Sequence, residues 1–163
     1  TGCCTSAIAD QSRFLPESLL GSGPHTWLTV ALVIVVVGLC LGLLGAIRHG
    51  RQHHRYVLGL LAGTLVAIPL GGLFLVEIAS PTLLQRPHHC PYDLVTEVPE
   101  SVLAVALFTL GCFSVGWAAV AAWLGRVEET RGVLPPLIGR FLFLGLFGYL
   151  GSMIMFTLEF FLS

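Results

Sequence analysis

The stretch RPHHCPYDL, residues 86–94, concentrates the side chains that proteins use most for metal binding and redox chemistry. Its candidate ligands are His88, His89, Cys90 and Asp93. Thiolate and imidazole together suit copper or zinc, and a carboxylate can add a harder fourth ligand. No fixed CxxC or HxxxH spacing is present, so the residue types alone indicate a copper or zinc site.

Cys90 has two further candidate partners, Cys3 and Cys4, near the start of the printed sequence. In an oxidising compartment one of them can form a structural disulfide with Cys90, and in a metal site one of them can supply a second sulfur ligand. A third interpretation is purely structural: the prolines stiffen a loop whose histidines cap helices or contact a partner subunit. The sequence leaves all three interpretations open.

A second group of candidate residues lies toward the ends of apolar segments and consists of Glu77, Glu159, Met155 and His25. Met155 and Glu159 are four residues apart and share a helical face. If this group converges at one end of a helix bundle, its carboxylates are suited to hold a metal ion, to shuttle a proton or to contact a quinone headgroup. The alternative is that both glutamates are simple helix-end residues, because the cost of a carboxylate, about 2.5–3.5 kcal/mol at the bilayer centre, shrinks near the interface.

The elements that must position these residues are membrane-spanning helices. The chain has 163 residues, of which 55% are apolar and 10% are charged, against roughly 25% charged in an ordinary soluble domain. Four apolar stretches approach the length of about 20 residues that a helix needs to cross about 30 Å of hydrocarbon. The sequence therefore predicts an all-α integral membrane protein, a four-helix transmembrane bundle with helices at 26–47, 56–79, 101–125 and 141–162.

The placement of the arginines predicts how this bundle is oriented. All eight basic residues are arginine, and six of them lie in the segments 48–55 and 126–140. Because cytoplasmic loops are enriched in basic residues, we expect these two segments to be cytoplasmic. The N-terminal segment 1–25, the loop 80–100 and both termini are then exoplasmic, which in a bacterial inner membrane means periplasmic.

Small residues recur at spacings that let helices pack closely: Gly38 with Gly42, Gly59 with Gly63, and Gly145 with Gly148. They serve either an interface with another subunit or packing within this bundle, and both interpretations stay open. In the second helix, Pro69 is followed by Gly71 and Gly72. Since proline removes a backbone hydrogen bond, this group predicts a kink or an unwound turn.

The sequence lacks the motifs of several functional classes. Every histidine falls in a loop or at a helix end, so we expect no intrinsic haem held by two histidines. A phosphate-binding glycine loop, an HExxH helix and a serine–histidine–aspartate pattern are missing, and no nucleic-acid partner is expected.

These observations favour a small polytopic subunit or accessory protein of a larger membrane complex, respiratory or otherwise redox-active, without catalytic activity of its own. It would be surrounded by lipid and pack against other subunits or a second copy. The alternative is a metal-handling or thiol-redox membrane protein that uses His88, His89, Cys90 and Cys3 or Cys4 on its exoplasmic face.

Overall fold

The computed structural model describes residues 26–50, 53–85, 90–125 and 134–162, and within these ranges the regular structure is entirely helical. The elements in chain order are α1 (Thr26–His49), α2 (His54–Phe74), a π-helical turn (Leu75–Ala79), α3 (Ser80–Leu83), α4 (Pro91–Glu97), α5 (Glu100–Leu124) and α6 (Leu134–Leu162).

Four helices are long and apolar enough to cross a membrane, as the sequence predicts: α1, the continuous rod His54–Leu83, α5 and α6. The shortest of them, α1, has 24 residues, and at about 1.5 Å per residue it exceeds the roughly 30 Å of a hydrocarbon core. The outward-facing side chains of these helices are largely apolar, which suits contact with lipid.

Helix α6 is longer than the apolar segment predicted for it. It begins at Leu134 rather than at 141, and Pro135 and Pro136 occupy its first turn. Backbone N–H groups in the first turn have no partner within the helix, so prolines are tolerated there. The segment predicted as the loop 126–140 therefore already contains the start of this helix.

The second rod lacks one of the two irregularities predicted at Pro69, and the other, a kink, stays a prediction. Pro69 lies inside α2, which is continuous from His54 to Phe74, so the unwound turn is not found among the described residues. The irregularity is instead the π-helical turn Leu75–Ala79. Ser80 follows it and donates a side-chain hydrogen bond of 2.9 Å to the carbonyl of Leu75. The predicted loop 80–100 thus begins with helix α3 and also contains the short helix α4.

The four long helices form a ring in which α1 contacts α2, α2 contacts α5, α5 contacts α6, and α6 contacts α1. The tightest seam is between α5 and α6. A Cβ atom placed on Gly148 would lie 2.6 Å from the backbone carbonyl oxygen of Leu107. Only glycine at this position lets the two backbones meet, as close packing of membrane helices requires.

The charges of the described residues are segregated to the two ends of the bundle. Arg48, Arg55 and Arg140 lie toward one end, named the arginine end. The described acidic residues lie toward the opposite, acidic end: Glu77, Asp93, Glu97, Glu100 and Glu159.

The core has two parts along the bundle axis. A larger cluster, which includes Leu43, Val57 and Leu142, fills the arginine half and the middle. A smaller cluster, which includes Leu28 and Phe74, lies near the acidic end.

Candidate functional site

An unpartnered carboxylate lies at the acidic end, in the last turns of α6. Both carboxylate oxygens of Glu159 are buried and have no hydrogen-bond partner among the described residues. The nearby charge that acts on Glu159 is the carboxylate of Glu100, in the first turn of α5, and it repels Glu159. Because a buried acceptor without a donor is costly, this site calls for a hydrogen-bond donor or a cation from outside the described residues.

Sequence reasoning selected Glu159 but missed Glu100. The available signal was topological, since the end of α6 and the start of α5 adjoin when neighbouring helices run antiparallel. Met155 lies one turn before Glu159 on α6 and is half-buried, and Glu77 lies half-buried in the π-helical turn. His25 is outside the described residues. The convergence of Glu77 with Glu159 stays a prediction.

The stretch that contains Cys90 lies partly within the described residues. Cys90 is half-buried at the N-cap position of α4, and Asp93 lies in the first turn of that helix. The remaining predicted ligands lie outside the described residues: His88, His89, Cys3 and Cys4. Within the ranges that the structure describes, no three His, Cys, Asp or Glu side chains come together as a metal site.

The predicted packing glycines divide into two groups. Added Cβ atoms on Gly42 and Gly63 would lie 2.7 Å and 2.9 Å from leucine side chains of the neighbouring helix. Those on Gly145 and Gly148 would meet α5, the first at the side chain of Val115 and the second at backbone atoms. These four glycines serve packing within the bundle. The other two, Gly38 and Gly59, are exposed, and a Cβ on either would meet nothing within 4 Å.

A half-open cavity of about 530 Å³ lies between the helices, in the half nearer the acidic end. All four long helices line it, and its walls are almost entirely apolar. Val33 and Ile68 belong to the lining and are 44% and 47% exposed. The cavity is therefore connected with the surface of the bundle that faces the membrane.

Tyr149 also lines this cavity, and its side chain is fully buried. Its hydroxyl lies 3.0 Å from Thr64 Oγ1 and donates a hydrogen bond to Cys112 Sγ at 3.6 Å. With its one proton directed to the sulfur, Tyr149 accepts the proton of Thr64. This cluster joins α2, α5 and α6, and its two hydroxyl groups and its sulfur atom form hydrogen bonds with one another.

Two consecutive glycines of α2 border the cavity, and open space lies beside the second of them. Gly71 contacts the ring of Phe108, whereas a Cβ on Gly72 would meet nothing within 4 Å. Both glycines line the cavity. Sequence reasoning selected this pair as part of a bend and missed the space beside it.

No protein-family model, curated protein or solved structure matches this chain. The function proposed below is therefore inferred from the residues and geometry of this chain alone.

Proposed function

We propose that the protein is a small integral subunit or accessory protein of a larger membrane complex, respiratory or otherwise redox-active, in a bacterial inner membrane. The observation that carries this proposal is the open groove at Gly38. This glycine is exposed on α1 between Ile34 and Leu41, each 65% exposed, and its groove is unused by the bundle. Helices associate in membranes by inserting side chains into such gaps.

The charge distribution supports an orientation for this subunit. The described arginines lie at one end and the described acidic residues at the other, and the side rich in arginine is the cytoplasmic one in most membrane proteins. We place both termini and the short helix α4 on the exoplasmic side. Cysteine accessibility labelling in intact cells tests this orientation, with single cysteines introduced at Arg140 and at Glu97 in a variant whose five native cysteines are replaced by alanine.

The subunit role is tested by isolating the tagged protein from its native membrane under mild detergent. We expect a stoichiometric complex on native gels, with partners identified by mass spectrometry, or a defined oligomer of this chain. Gly38→Leu should release the partner because the new side chain fills the groove. The matched control is Gly116→Leu on α5, where a Cβ also meets nothing within 4 Å.

Two results would count against the proposal. A monodisperse wild-type monomer without a stoichiometric partner would refute the subunit role. A folded Gly38→Leu variant that retains the wild-type complex would refute the assignment of the interface to α1, while leaving the subunit role intact.

The second candidate function is the handling of copper or zinc, or thiol chemistry, at the exoplasmic surface. The observation that favours it is the position of Cys90 and Asp93 in adjacent turns at the start of α4, directly after His88 and His89 in the sequence. Stoichiometric copper or zinc in purified protein, lost on combining Cys90→Ser with His89→Ala, would support it. A disulfide from Cys90 to Cys3 or Cys4, found by mass spectrometry without reductant and without bound metal, would refute metal binding at Cys90.

A further inference from the structure

Two arginines at the arginine end lie at the same depth on neighbouring helices. Helix α1 contacts α6 and runs antiparallel to it. A Cβ on Gly145 of α6 would lie 3.7 Å from the side chain of Leu43 on α1. Arg48 is five residues beyond Leu43, and Arg140 is five residues before Gly145. The two arginines are therefore level with each other.

Helix α2, on the other side of α1, adds a third arginine at this depth. A Cβ on Gly42 of α1 would lie 2.7 Å from the side chain of Leu60 on α2. Six residues beyond Gly42 is Arg48. Six residues before Leu60 is His54, and the next residue is Arg55. Because packed helices lie about 8–10 Å apart, the guanidinium groups of neighbouring helices are within reach of one lipid headgroup.

The arginines continue membrane-facing rows of their helices. A step of seven residues returns to nearly the same face of a helix. Seven residues before Arg48 is Leu41, which is 65% exposed. Seven residues after Arg140 is Phe147, which is 57% exposed. Arg48, Arg55 and Arg140 are themselves exposed. Acyl chains that lie along these rows therefore bring their headgroups to the arginines.

An interfacial tryptophan marks the headgroup level at this end. A Cβ on Gly145 would lie 3.2 Å from the side chain of Val115 on α5, so Arg140 is level with Val120. Trp123 is about one turn farther out and 62% exposed, and indole rings favour the level of the headgroups. Long arginine side chains near a helix end extend to that level with their stems against lipid.

The net charge of this end is positive whichever residues its glutamates contact. The segments 48–55 and 126–140 hold six arginines against two glutamates, Glu128 and Glu129, which is an excess of four positive charges. Phosphate oxygens match the two parallel N–H groups of an arginine fork. Basic residues beside a membrane attract lipids with a net negative charge.

We propose that Arg48, Arg55 and Arg140 bind the phosphate of a phospholipid with a net negative headgroup, in the leaflet at the arginine end. A phosphatidylcholine phosphate is accompanied by a fixed positive charge, which the arginines repel. The site is independent of the subunit role. Arg48 lies ten residues, about 15 Å, beyond Gly38. Since helices that meet at small residues cross at an angle, a partner helix at Gly38 diverges from α1 before it reaches Arg48.

The test is native mass spectrometry of the intact chain, delipidated in detergent and titrated separately with phosphatidylglycerol and phosphatidylcholine of identical acyl chains. The readout is the ratio of the two affinities, and we expect phosphatidylglycerol to bind more tightly. Each arginine should contribute about fivefold, equivalent to about 1 kcal/mol per basic residue near a membrane. Arg140→Gln should therefore lower the ratio about fivefold, and Arg48→Gln combined with Arg55→Gln about 25-fold.

The matched control removes two arginines from elsewhere in the chain. Arg13→Gln combined with Arg86→Gln changes the net charge by the same amount and should keep the wild-type ratio. Wild-type protein that binds both lipids equally would overturn the proposal. So would a folded double variant at Arg48 and Arg55 that keeps the wild-type ratio. A ratio lowered equally in the control would also overturn it, because net charge alone would then account for the preference.

Discussion

Gly148→Ala probes the seam between α5 and α6, which is the closest helix contact in the bundle. The added Cβ would lie 2.6 Å from the Gly111 nitrogen and from the Leu107 carbonyl oxygen. Both are backbone atoms, which cannot rotate aside as the end of a side chain can. Ordinary contact begins at 3.4 Å, so relief from 2.6 Å to 3.4 Å requires the two helices to separate by 0.8 Å.

The magnitude follows from this separation. Overpacking a well-packed site costs about 1–3 kcal/mol, and a gap of about 0.5–1 Å forfeits about a quarter to a half of each dispersion contact. We place Gly148→Ala at the upper end, about 3 kcal/mol, because the clash is with backbone. Alanine is the better helix former by about 1 kcal/mol, so the expected net loss in free energy of unfolding is about 2 kcal/mol.

The assay is reversible unfolding in mixed micelles with increasing SDS, followed by tryptophan fluorescence. The control is Gly59→Ala, which gains the same helix propensity at a position where a Cβ meets nothing within 4 Å, and it should match or exceed the wild type in stability. If Gly148→Ala unfolds at the same SDS fraction as Gly59→Ala, the direct backbone contact between α5 and α6 is refuted.

Three further predictions use the same unfolding assay. Tyr149→Phe removes the hydroxyl that joins Thr64 to Cys112 and should cost about 0.6–1.7 kcal/mol; an unchanged stability would mean that the cluster contributes nothing. Gly50, just after α1, has φ of 59°, so Gly50→Ala should cost about 1 kcal/mol and Gly50→Asn less, and equal stabilities would contradict the left-handed conformation. Gln85 has φ of 51°, so Gln85→Gly should be neutral or stabilising by up to about 1 kcal/mol; a loss would show that its side chain matters more than its backbone.

The membrane spans could be predicted because the constraint on each is local. A helix in hydrocarbon forms all of its backbone hydrogen bonds internally and needs only sufficient apolar length. Both properties depend on a run of consecutive residues and can be recognised in the sequence. The start of α6 was harder, since Pro135 and Pro136 are compatible with a loop or with a first helical turn. Only the contacts of the helix that follows decide between them.

The two groups of glycines could not be separated from the sequence. A step of four residues turns a helix by about 40°, so of two glycines at this spacing one can lie at the edge of a helix contact, as Gly42 does, and the other outside it, as Gly38 does. Whether each glycine contacts another helix depends on where the helices cross. The structure places the crossing of α1 and α2 near Gly42 and Gly63 and leaves Gly38 and Gly59 outside it.

The cavity could not be predicted because it is defined by space that remains between four helices distant in sequence. Gly71 and Gly72 are visible as an interruption in α2, but their meaning depends on what faces them. Glu100 was missed for the same reason, since its relation to Glu159 arises only when α5 and α6 lie side by side. In each case the decisive property belongs to a pair of elements rather than to one.

The uneven packing along the bundle connects these features. In the middle and at the arginine end, alanines of α5 such as Ala118 and Ala122 let the helices close around a continuous core. At the acidic end, Phe74 makes an edge contact with Phe156 at 5.7 Å between ring centroids, and the glycines of α2 leave a gap behind them. In water such a gap would be a destabilising cavity, but lipid chains are as apolar as its walls and can fill it. Among the described residues, the buried polar side-chain atoms without a protein partner are the two oxygens of Glu159, so the loosest packing and the unsatisfied carboxylate both occur in the acidic half of the bundle.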